Sequence, residues 1–290
     1  MIVLVTGASG FLGRAVAAEL VGAGHEVRAL QRRPSEVAGV TDVLGSITDP
    51  LLLARAVEGV EGVVHLAAKV SLAGDPREFH TVNVGGTRLL VDAAERAGVS
   101  RFVQVSSPSV AHAGAALSGV GAQPADPDGA RGDYARTKAE GELLALARDS
   151  AAMRVVAVRP HLVWGPGDTQ LVERIVDRAR SGRLPLLDGG TALIDSTYVD
   201  NAAAALVAAV EDRSEHPIGR AIVEAARKHA LPFGTVTDFE AISGEGVRAR
   251  VDGRLVAIGS RRFLGHLDFS DFETAIERLA NEGKTPVFAA

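Results

Sequence analysis

Apolar runs and amphipathic stretches alternate along the first two-thirds of the chain. Five runs have the length and composition of buried strands: Ile2–Val5, Glu26–Leu30, Gly62–Ala67, Arg101–Ser106 and Arg154–Arg159. Four stretches between them have the period of helices: Gly10–Ala23, Pro50–Val57, Glu78–Ala97 and Tyr134–Asp149. Because parallel strands need helical crossovers, this alternation predicts a sheet with helices on both faces. The predicted fold class for residues 1–210 is therefore α/β, with a doubly wound parallel sheet.

The pattern changes after about Asp212. A predicted helix over Asn201–Asp212 ends the α/β series, and short alternating segments follow it at Phe239–Ile242, Val247–Val251 and Arg254–Ile258. Asp252-Gly253 separates the last two segments, and this dipeptide between alternating strands is a strong hairpin signal. Residues 211–290 are therefore predicted to form a smaller α+β module with an antiparallel sheet.

Composition and charge exclude several classes of protein. Apolar residues make up 47% and charged residues 23% of the 290 positions, as in soluble globular proteins. The net charge of −5 gives no basic surface for nucleic acid or an anionic membrane. The absence of cysteine excludes disulfides, thiolate metal sites and a cysteine nucleophile. The apolar run Ala202–Val210 is too short to span a bilayer. We expect a cytoplasmic protein with no nucleic-acid partner, no membrane insertion and no metal.

A glycine-rich sequence follows the first strand and opens the first helix, where residues 6–13 read TGASGFLG. Gly7 permits the tight turn, Gly10 lets the backbone approach a pyrophosphate, and Gly13 lets helix and strand pack closely. The start of the helix offers free N–H groups and the positive end of its dipole to the phosphates. An ordinary glycine-rich turn is the alternative, but the position at the first strand–helix turn indicates a Rossmann-type dinucleotide site.

The end of the second strand indicates which dinucleotide binds. An NAD site usually places a carboxylate there for the ribose hydroxyls, whereas an NADP site places arginine for the 2′-phosphate. This strand ends in Gln31-Arg32-Arg33 and has no acid, and a basic loop around Pro34 follows it with no further strand predicted before Pro50. We therefore expect Arg32 and Arg33 to favour NADP(H), with NAD(H) as the second choice. Two solvated arginines in a loop are the alternative.

Tyr134 and Lys138 lie four residues apart, on one face of a predicted helix. A nearby ammonium stabilises phenolate and lowers the tyrosine pKa, which suits general acid–base chemistry. The spacing alone is typical of a solvated helix face. Ser106-Ser107 strengthens the catalytic interpretation, because it ends the fourth strand at the edge where doubly wound sheets bind ligands.

Seven segments in family order across residues 1–210 resemble the extended short-chain dehydrogenase/reductase family: TGASGFLG, VVHLAA (63–68), NVGGT (83–87), VSSPSV (105–110), YARTK (134–138), RPHLVWGPGD (159–168) and STYVDNAAAA (196–205). The resemblance implies Tyr134 as the proton donor or acceptor, and Lys138 as the group that modulates its pKa and binds ribose. It places Ser107 at the substrate hydroxyl, with Ser106 as the fallback, and Asn83 near the cofactor. His65 is expected to line the site without doing chemistry. The expected cofactor contacts are Gly7, Ser9, Gly10, Phe11, Leu12, Gly13, Arg32, Arg33, Leu66, Ala67, Ala68, Asn83, Tyr134, Lys138 and Pro160.

Two departures from the family pattern bear on the substrate. The family often has an aspartate that contacts adenine where this chain reads Gly45-Ser46, and sugar-nucleotide epimerases often have VYG where this chain reads Val110-Ala111-His112. Together with residues 159–168 and 171–195, these departures resemble the 3β-hydroxysteroid dehydrogenase branch, which includes sterol and 2-alkyl-3-oxoalkanoate reductases. The branch implies a small hydrophobic 3-hydroxy or 3-keto substrate. A sugar nucleotide, in an epimerase or reductase, is the second choice.

The tail resembles a different family, the nucleotide-binding domain of heavy-metal P-type ATPases. The resemblance rests on residues 211–218 (EDRSEHPI), 243–247 (SGEGV), 258–262 (IGSRR) and 281–285 (NEGKT). It implies Glu211 and His216 at adenine, with Gly244, Gly246 and Gly259 allowing close approach of the backbone to ATP. Ser260 departs from the asparagine usual in that family. The chain has no DKTGT phosphorylation sequence, so this tail is expected to bind nucleotide at most.

Three functional hypotheses remain open at this stage. The first is an oxidoreductase that uses NADP(H), with Tyr134 and Ser107 at a substrate oxygen. The second is a hybrid protein that binds dinucleotide in front and ATP in the tail without turnover. The third is a chain in which apolar surface around Val163, Trp164 and Leu186 is exposed, since the family's C-terminal lobe is missing, and promotes aggregation or a homodimer.

Overall fold

The computed structural model describes residues 1–71, 74–111, 122–169, 172–185, 194–211, 236–242, 246–251, 253–259, 264 and 288–289. The chain divides into two compact units, Met1–Arg220 and Ala221–Ala290. No helix within the described ranges is long and apolar enough to cross a bilayer.

A six-stranded sheet forms the centre of the first unit, and all its strands are parallel. The strands are β1 (Ile2–Thr6), β2 (Glu26–Gln31), β3 (Val40–Leu44), β4 (Gly62–His65), β5 (Arg101–Val105) and β6 (Arg154–Val158). Their order across the sheet is β3-β2-β1-β4-β5-β6, so the direction of winding reverses between β1 and β4. Ligands of doubly wound sheets bind at this reversal, outside the carboxyl ends of the strands. The predicted fold class is confirmed.

Seven α-helices are described in the first unit: α1 (Phe11–Gly22), α2 (Pro50–Ala56), α3 (Pro76–Phe79), α4 (Thr87–Ala97), α5 (Gly132–Leu146), α6 (Val172–Arg180) and α7 (Val199–Val210). Val3 and Val5 of β1 face a core shared with α1 and α7. Leu4 faces the opposite core, which α2 and α4 complete. This alternation along β1 is the reason that the first strand is apolar throughout.

Two elements differ from those that the sequence pattern predicts. Strand β3 occupies part of the predicted basic loop; Thr41, Asp42 and Leu44 are exposed, so this edge strand lacks the apolar run of a buried one. The single helix predicted over Glu78–Ala97 is divided into α3, a π-helical segment His80–Gly86, and α4. The hydroxyl of Thr87 donates to the carbonyl of Asn83 at 2.6 Å, a side-chain bond that competes with the regular helical pairing.

A short parallel pair, β7 (Val163–Trp164) and β8 (Thr197–Tyr198), lies outside the main sheet. The second unit contains a four-stranded antiparallel sheet made of β9 (Val236–Ile242), β10 (Gly246–Val251), β11 (Arg254–Gly259) and β12 (Phe288–Ala289). Val251 pairs with Arg254 across the predicted turn, and Gly253 has the positive φ that such a turn requires.

The turn from β1 to α1 brings backbone close to backbone. Gly7 has a φ of +80°, and a Cβ atom there would lie 2.9 Å from the amide nitrogen of Ala67. A Cβ atom on Gly13 would overlap the carbonyl oxygen of Gly7 and lie 2.8 Å from its carbonyl carbon. Only glycine at position 13 allows the first turn of α1 to rest against the loop.

Replacing Gly13 by alanine is therefore expected to lower the free energy of unfolding by roughly 1–3 kcal/mol, the usual cost of overpacking. Gly22→Ala is the matched control in the same helix, since its new methyl group would meet nothing within 4 Å. That control should stabilise the chain by up to about 1 kcal/mol through helix propensity. Urea unfolding of both variants measures the difference, and equal stabilities would contradict the predicted overlap.

Candidate functional site

The phosphate-binding side of the site is the start of α1. Gly10 caps this helix from an extended conformation, no side chain caps it, and its first turn contains no acid. The N–H groups and the positive end of the helix dipole can therefore stabilise an anion. Ser9, Phe11 and Leu12 are partly exposed around this turn. The described residues fit the pyrophosphate of a dinucleotide at this position.

Exposed cations lie at the end of β2. Arg32 and Arg33 are both exposed, and neither forms an ion pair within the described part of the chain. The carboxylate of Asp42 accepts hydrogen bonds from the Gln31 side chain at 2.6 Å and from the Ser35 backbone at 3.1 Å. These bonds hold the only acid of β3 against the loop, so the two arginine charges remain available to an anion.

Two hydroxyl groups meet at the carboxyl end of β5. The side chain of Ser107 lies beside the phenol of Tyr134 at the start of α5 and acts to lower its pKa. The Ser107 oxygen also lies 2.9 Å from the hydroxyl of Ser109. The hydroxyl of Ser106 is instead buried and has no hydrogen-bond partner among the described residues. Of the two predicted serines, Ser107 is the one that the structure places beside Tyr134.

Lys138 lies one turn after Tyr134 and is buried. Its ammonium donates to the backbone carbonyl of Val105 at 2.6 Å. Burial lowers the pKa of Lys138 to about 8, and the carboxylate of Glu142 opposes this change. A lowered pKa for Tyr134 is expected from the spacing, but the structure differs: burial raises the pKa of Tyr134, and the neighbouring side chain of Ser107 only partly opposes this.

An ion pair that the sequence analysis missed anchors α5 to the end of β6. Arg159 donates from Nε to one oxygen of Glu142 at 2.9 Å and from Nη2 to the other. Its third nitrogen donates to the carbonyl of Gln123 at 2.7 Å. Glu142 is 1% exposed, and Arg159 is mostly buried. The signal in the sequence is that Glu142 extends the four-residue spacing of Tyr134 and Lys138.

His65 and Asn83 are both buried, and their side chains bind other protein groups. The ring nitrogens of His65 lie 2.6 Å from the Thr6 hydroxyl and 3.0 Å from the Thr87 hydroxyl. Burial, and next the charge of Lys138, lower the pKa of His65 to about 3. The side chain of Asn83 accepts from the Lys69 backbone at 2.7 Å and donates to the Thr137 hydroxyl at 3.0 Å. Both residues thus connect elements that surround the site.

The other residues predicted to contact the cofactor lie along the same edge of the sheet. Leu66 donates its N–H to the carbonyl of Thr6 at 3.1 Å, and Ala67 faces Gly7. Ala68 and Pro160 are partly exposed. No cluster of three metal-ligating side chains occurs in the ranges described above.

The described residues that were predicted to bind ATP lie on different elements. Glu211 follows α7, and its carboxylate lies 2.8 Å from the imidazole of His25. Gly246 and Gly259 are paired across β10 and β11. His216 and Gly244 lie outside the described residues. The resemblance of the tail to a P-type ATPase, and the ATP contacts that it implies, stay predictions.

Apolar side chains are exposed beyond the end of β6. Leu162 is 44% exposed and Trp164 is 40% exposed, while Val163 is partly buried. The rings of Trp164 and Tyr198 pack edge to face with centroids 5.3 Å apart. Leu186, the third residue of the predicted apolar surface, lies outside the described residues. Leu162 and Trp164 thus expose apolar surface in the segment that follows β6.

Sequence comparison relates the chain to known enzymes. The family described as "NAD dependent epimerase/dehydratase family" matches residues 3–225. A 2-alkyl-3-oxoalkanoate reductase of Stenotrophomonas maltophilia is 43% identical over 217 residues, which cover 73% of this chain and 66% of that protein. A 3 beta-hydroxysteroid dehydrogenase/Delta 5-->4-isomerase of Mycobacterium tuberculosis is 36% identical over 69% of this chain and 57% of its own length. The chain thus spans less than two-thirds of the length of these relatives.

Solved structures agree on the fold. MoeE5 in complex with UDP-glucose and NAD is 32% identical with a TM-score of 0.64, and the match covers 74% of this chain and 73% of MoeE5. The UDP-glucose 4-epimerase of Thermus thermophilus in complex with NAD is 28% identical with a TM-score of 0.61, over 72% of this chain and 74% of that one. NAD is therefore bound in structural relatives, which do not distinguish NAD from NADP for this chain.

Replacing Glu142 by glutamine leaves the Arg159 guanidinium without its carboxylate. We expect the free energy of unfolding to fall by about 3 kcal/mol, because removing one partner of a buried ion pair leaves an uncompensated charge. The pKa of Lys138 should also fall below about 8, since Glu142 is the charge that raises it. Urea unfolding at pH 7 measures the first effect, and an NMR titration of the lysine side chains measures the second.

Glu140→Gln is the matched control on the same helix, because the Arg136 guanidinium lies 3.9 Å from its carboxylate, which is 30% exposed. Equal losses of stability in the two variants would show that the buried pair does not anchor α5.

Proposed function

The chain belongs to the NAD dependent epimerase/dehydratase family, and we propose that it is an NADP(H)-dependent oxidoreductase acting on a hydrophobic 3-hydroxy or 3-keto substrate. The observation that carries the proposal is the contact of Ser107 with Tyr134, one helical turn before the buried Lys138. This group lies at the carboxyl end of β5, on the sheet edge that also carries the phosphate-binding turn.

The residues can share the chemistry of a carbonyl reduction. A bound nicotinamide would supply the hydride to the carbonyl carbon. The hydroxyls of Ser107 and Tyr134 would hold the carbonyl oxygen between them, and Tyr134 would donate its proton to that oxygen to complete the alcohol. With its pKa raised from the ordinary value, the Tyr134 phenol is protonated at neutral pH and has a proton to donate. Lys138, protonated below about pH 8, would stabilise the phenolate left behind.

Two observations support a hydrophobic substrate. The relative named 2-alkyl-3-oxoalkanoate reductase shares 43% identity with this chain, and the relative named 3 beta-hydroxysteroid dehydrogenase shares 36%. Leu162 and Trp164 also expose apolar surface in the segment that follows β6. A sugar-nucleotide substrate is the second candidate, supported by the 32% identity to MoeE5, which was solved with UDP-glucose. Dinucleotide binding without turnover is the third candidate.

Tyr134→Phe removes the proton donor and keeps the ring. We expect turnover of a 3-keto substrate with NADPH to fall by about 10²-fold or more, the usual contribution of general acid catalysis, with an unchanged Kd for NADPH. A panel of 2-alkyl-3-oxoalkanoates and 3-ketosteroids, followed by NADPH absorbance, provides the assay. Tyr198→Phe, at the chain's other tyrosine, is the matched control and should retain activity. Full turnover in Tyr134→Phe would refute the assigned role, and NADPH binding without turnover of any substrate would favour the binding-only alternative.

The arginines at the end of β2 are expected to select the cofactor. In the double variant Arg32→Ser/Arg33→Ser, affinity for NADPH should fall by roughly 10²-fold or more, since two charged hydrogen bonds of about 1.5–3 kcal/mol each are lost. Affinity for NADH should change little, because NADH has no 2′-phosphate. Isothermal titration calorimetry with both dinucleotides measures this, and the exposed Arg96→Ser is the control. A wild-type chain that prefers NADH would overturn the assignment of NADP(H).

A further inference from the structure

A chain of buried hydrogen bonds runs through His65. The amide of Ala67 donates to the Thr6 hydroxyl at 3.1 Å, and that oxygen lies 2.6 Å from Nδ1 of His65. On the other side of the ring, Nε2 lies 3.0 Å from the Thr87 hydroxyl, which donates to the carbonyl of Asn83 at 2.6 Å. Thr6, His65 and Thr87 are each no more than 1% exposed. Water therefore does not compete for these bonds.

The number of protons available for these hydrogen bonds sets the tautomer of the His65 ring. A threonine hydroxyl has one proton, and Thr87 gives its proton to the carbonyl of Asn83. Thr87 can then only accept from His65, so Nε2 carries the ring proton. Nδ1 is left as the acceptor, and Thr6 donates to it while accepting from the amide of Ala67. Every group in the chain is satisfied in this one arrangement.

The two ends of this series of hydrogen bonds lie at different parts of the site. Ala67 faces the tight turn at Gly7, where the phosphates are expected to bind. Beyond Thr87, the side chain of Asn83 donates to the Thr137 hydroxyl, which donates to the carbonyl of Asp133 at 2.7 Å. Asp133 immediately precedes Tyr134. Hydrogen bonds thus follow one another from Ala67, beside the phosphate-binding turn, to the first turn of α5, with Asn83 joining the last two through its own backbone and side chain.

We propose that His65, held as the neutral Nε2–H tautomer, is a positioning residue that sets the placement of Tyr134 relative to the phosphate-binding turn. A doubly protonated ring would need an acceptor for its Nδ1–H group. The Thr6 hydroxyl, which donates to Nδ1 in the structure, would then have to turn its own proton away from the ring. The nearby charge of Lys138 also disfavours an imidazolium, in agreement with the lowered pKa of His65. The catalytic consequence rests on the proposed function, whereas the tautomer does not.

The tautomer is tested directly on the full chain. Long-range ¹H–¹⁵N correlation spectra of protein labelled with ¹⁵N-histidine distinguish the two tautomers and the charged ring. The His65 signals, identified by their loss in His65→Asn, should show a protonated Nε2 and an unprotonated Nδ1 that do not change from pH 5 to pH 8. An Nδ1–H tautomer, or protonation of the ring within this range, would overturn the proposal.

Two variants of His65 each break the hydrogen bond on one side of the ring and keep the bond on the other side. The Asn side chain in His65→Asn can still accept from Thr6 but does not reach Thr87, whereas the Gln side chain in His65→Gln can donate to Thr87 but leaves Thr6. We expect His65→Asn to keep the NADPH Kd within about twofold and lower kcat by about 10-fold or more, since small misplacements of catalytic groups are costly. His65→Gln should raise the NADPH Kd several-fold more than it lowers kcat at saturating NADPH.

Further variants distinguish the positioning role of His65 from a purely structural contribution to the core. Thr87→Val should lower kcat as His65→Asn does, and Thr87→Ser, which keeps the hydroxyl, should restore it. His80→Gln, at an exposed histidine, should change neither constant. Equal effects of His65→Asn and His65→Gln on both Kd and kcat would overturn the positioning role. If no substrate is turned over, the proposed function fails while the tautomer and the contrast in Kd still decide this inference.

Discussion

The site depends on the close approach of two backbone segments at the point where the sheet reverses its direction of winding. Gly7 lies against Ala67, and Gly13 lies against Gly7, at distances that admit no side chain. This contact brings the uncapped start of α1 to the carboxyl edge of β1 and β4. An anion can bind there because the N–H groups and the helix dipole face the same edge.

Burial then determines the state of the catalytic groups. Burial raises the pKa of Tyr134 and lowers that of Lys138, so the phenol holds its proton more firmly while the ammonium loses its proton at a lower pH than an exposed lysine does. The buried Glu142–Arg159 pair counters this trend, because its carboxylate raises the pKa of Lys138 while Arg159 anchors the same helix to β6. These buried charges are tolerated because each charged group has hydrogen-bond partners.

Periodicity predicted most elements of the first unit, and it failed where tertiary contacts replace local preference. Strand β3 escaped detection because three of its five side chains are exposed, so it has no apolar run. Its hydrogen bonds to β2 hold it in the extended conformation instead. The π-helical segment escaped detection because apolar periodicity over Glu78–Ala97 does not register a local change in backbone pairing. Ser106 and Ser107 could not be separated by strand position alone, and the contact with Tyr134 distinguishes them.

The sequence by itself determined the parallel α/β architecture and the glycine turn, and it nominated the candidate catalytic side chains. The first two follow from local spacing, through apolar periodicity and the missing side chains in a turn, and the candidates follow from two groups on one helix face together with a family resemblance. Only the tertiary structure decided the protonation of Tyr134, the partner of Glu142 and the tautomer of His65. These properties arise from burial and from contacts such as Thr6 with His65, whose members lie 59 positions apart in the chain. Local spacing contains no information about such contacts, because folding alone brings the groups together.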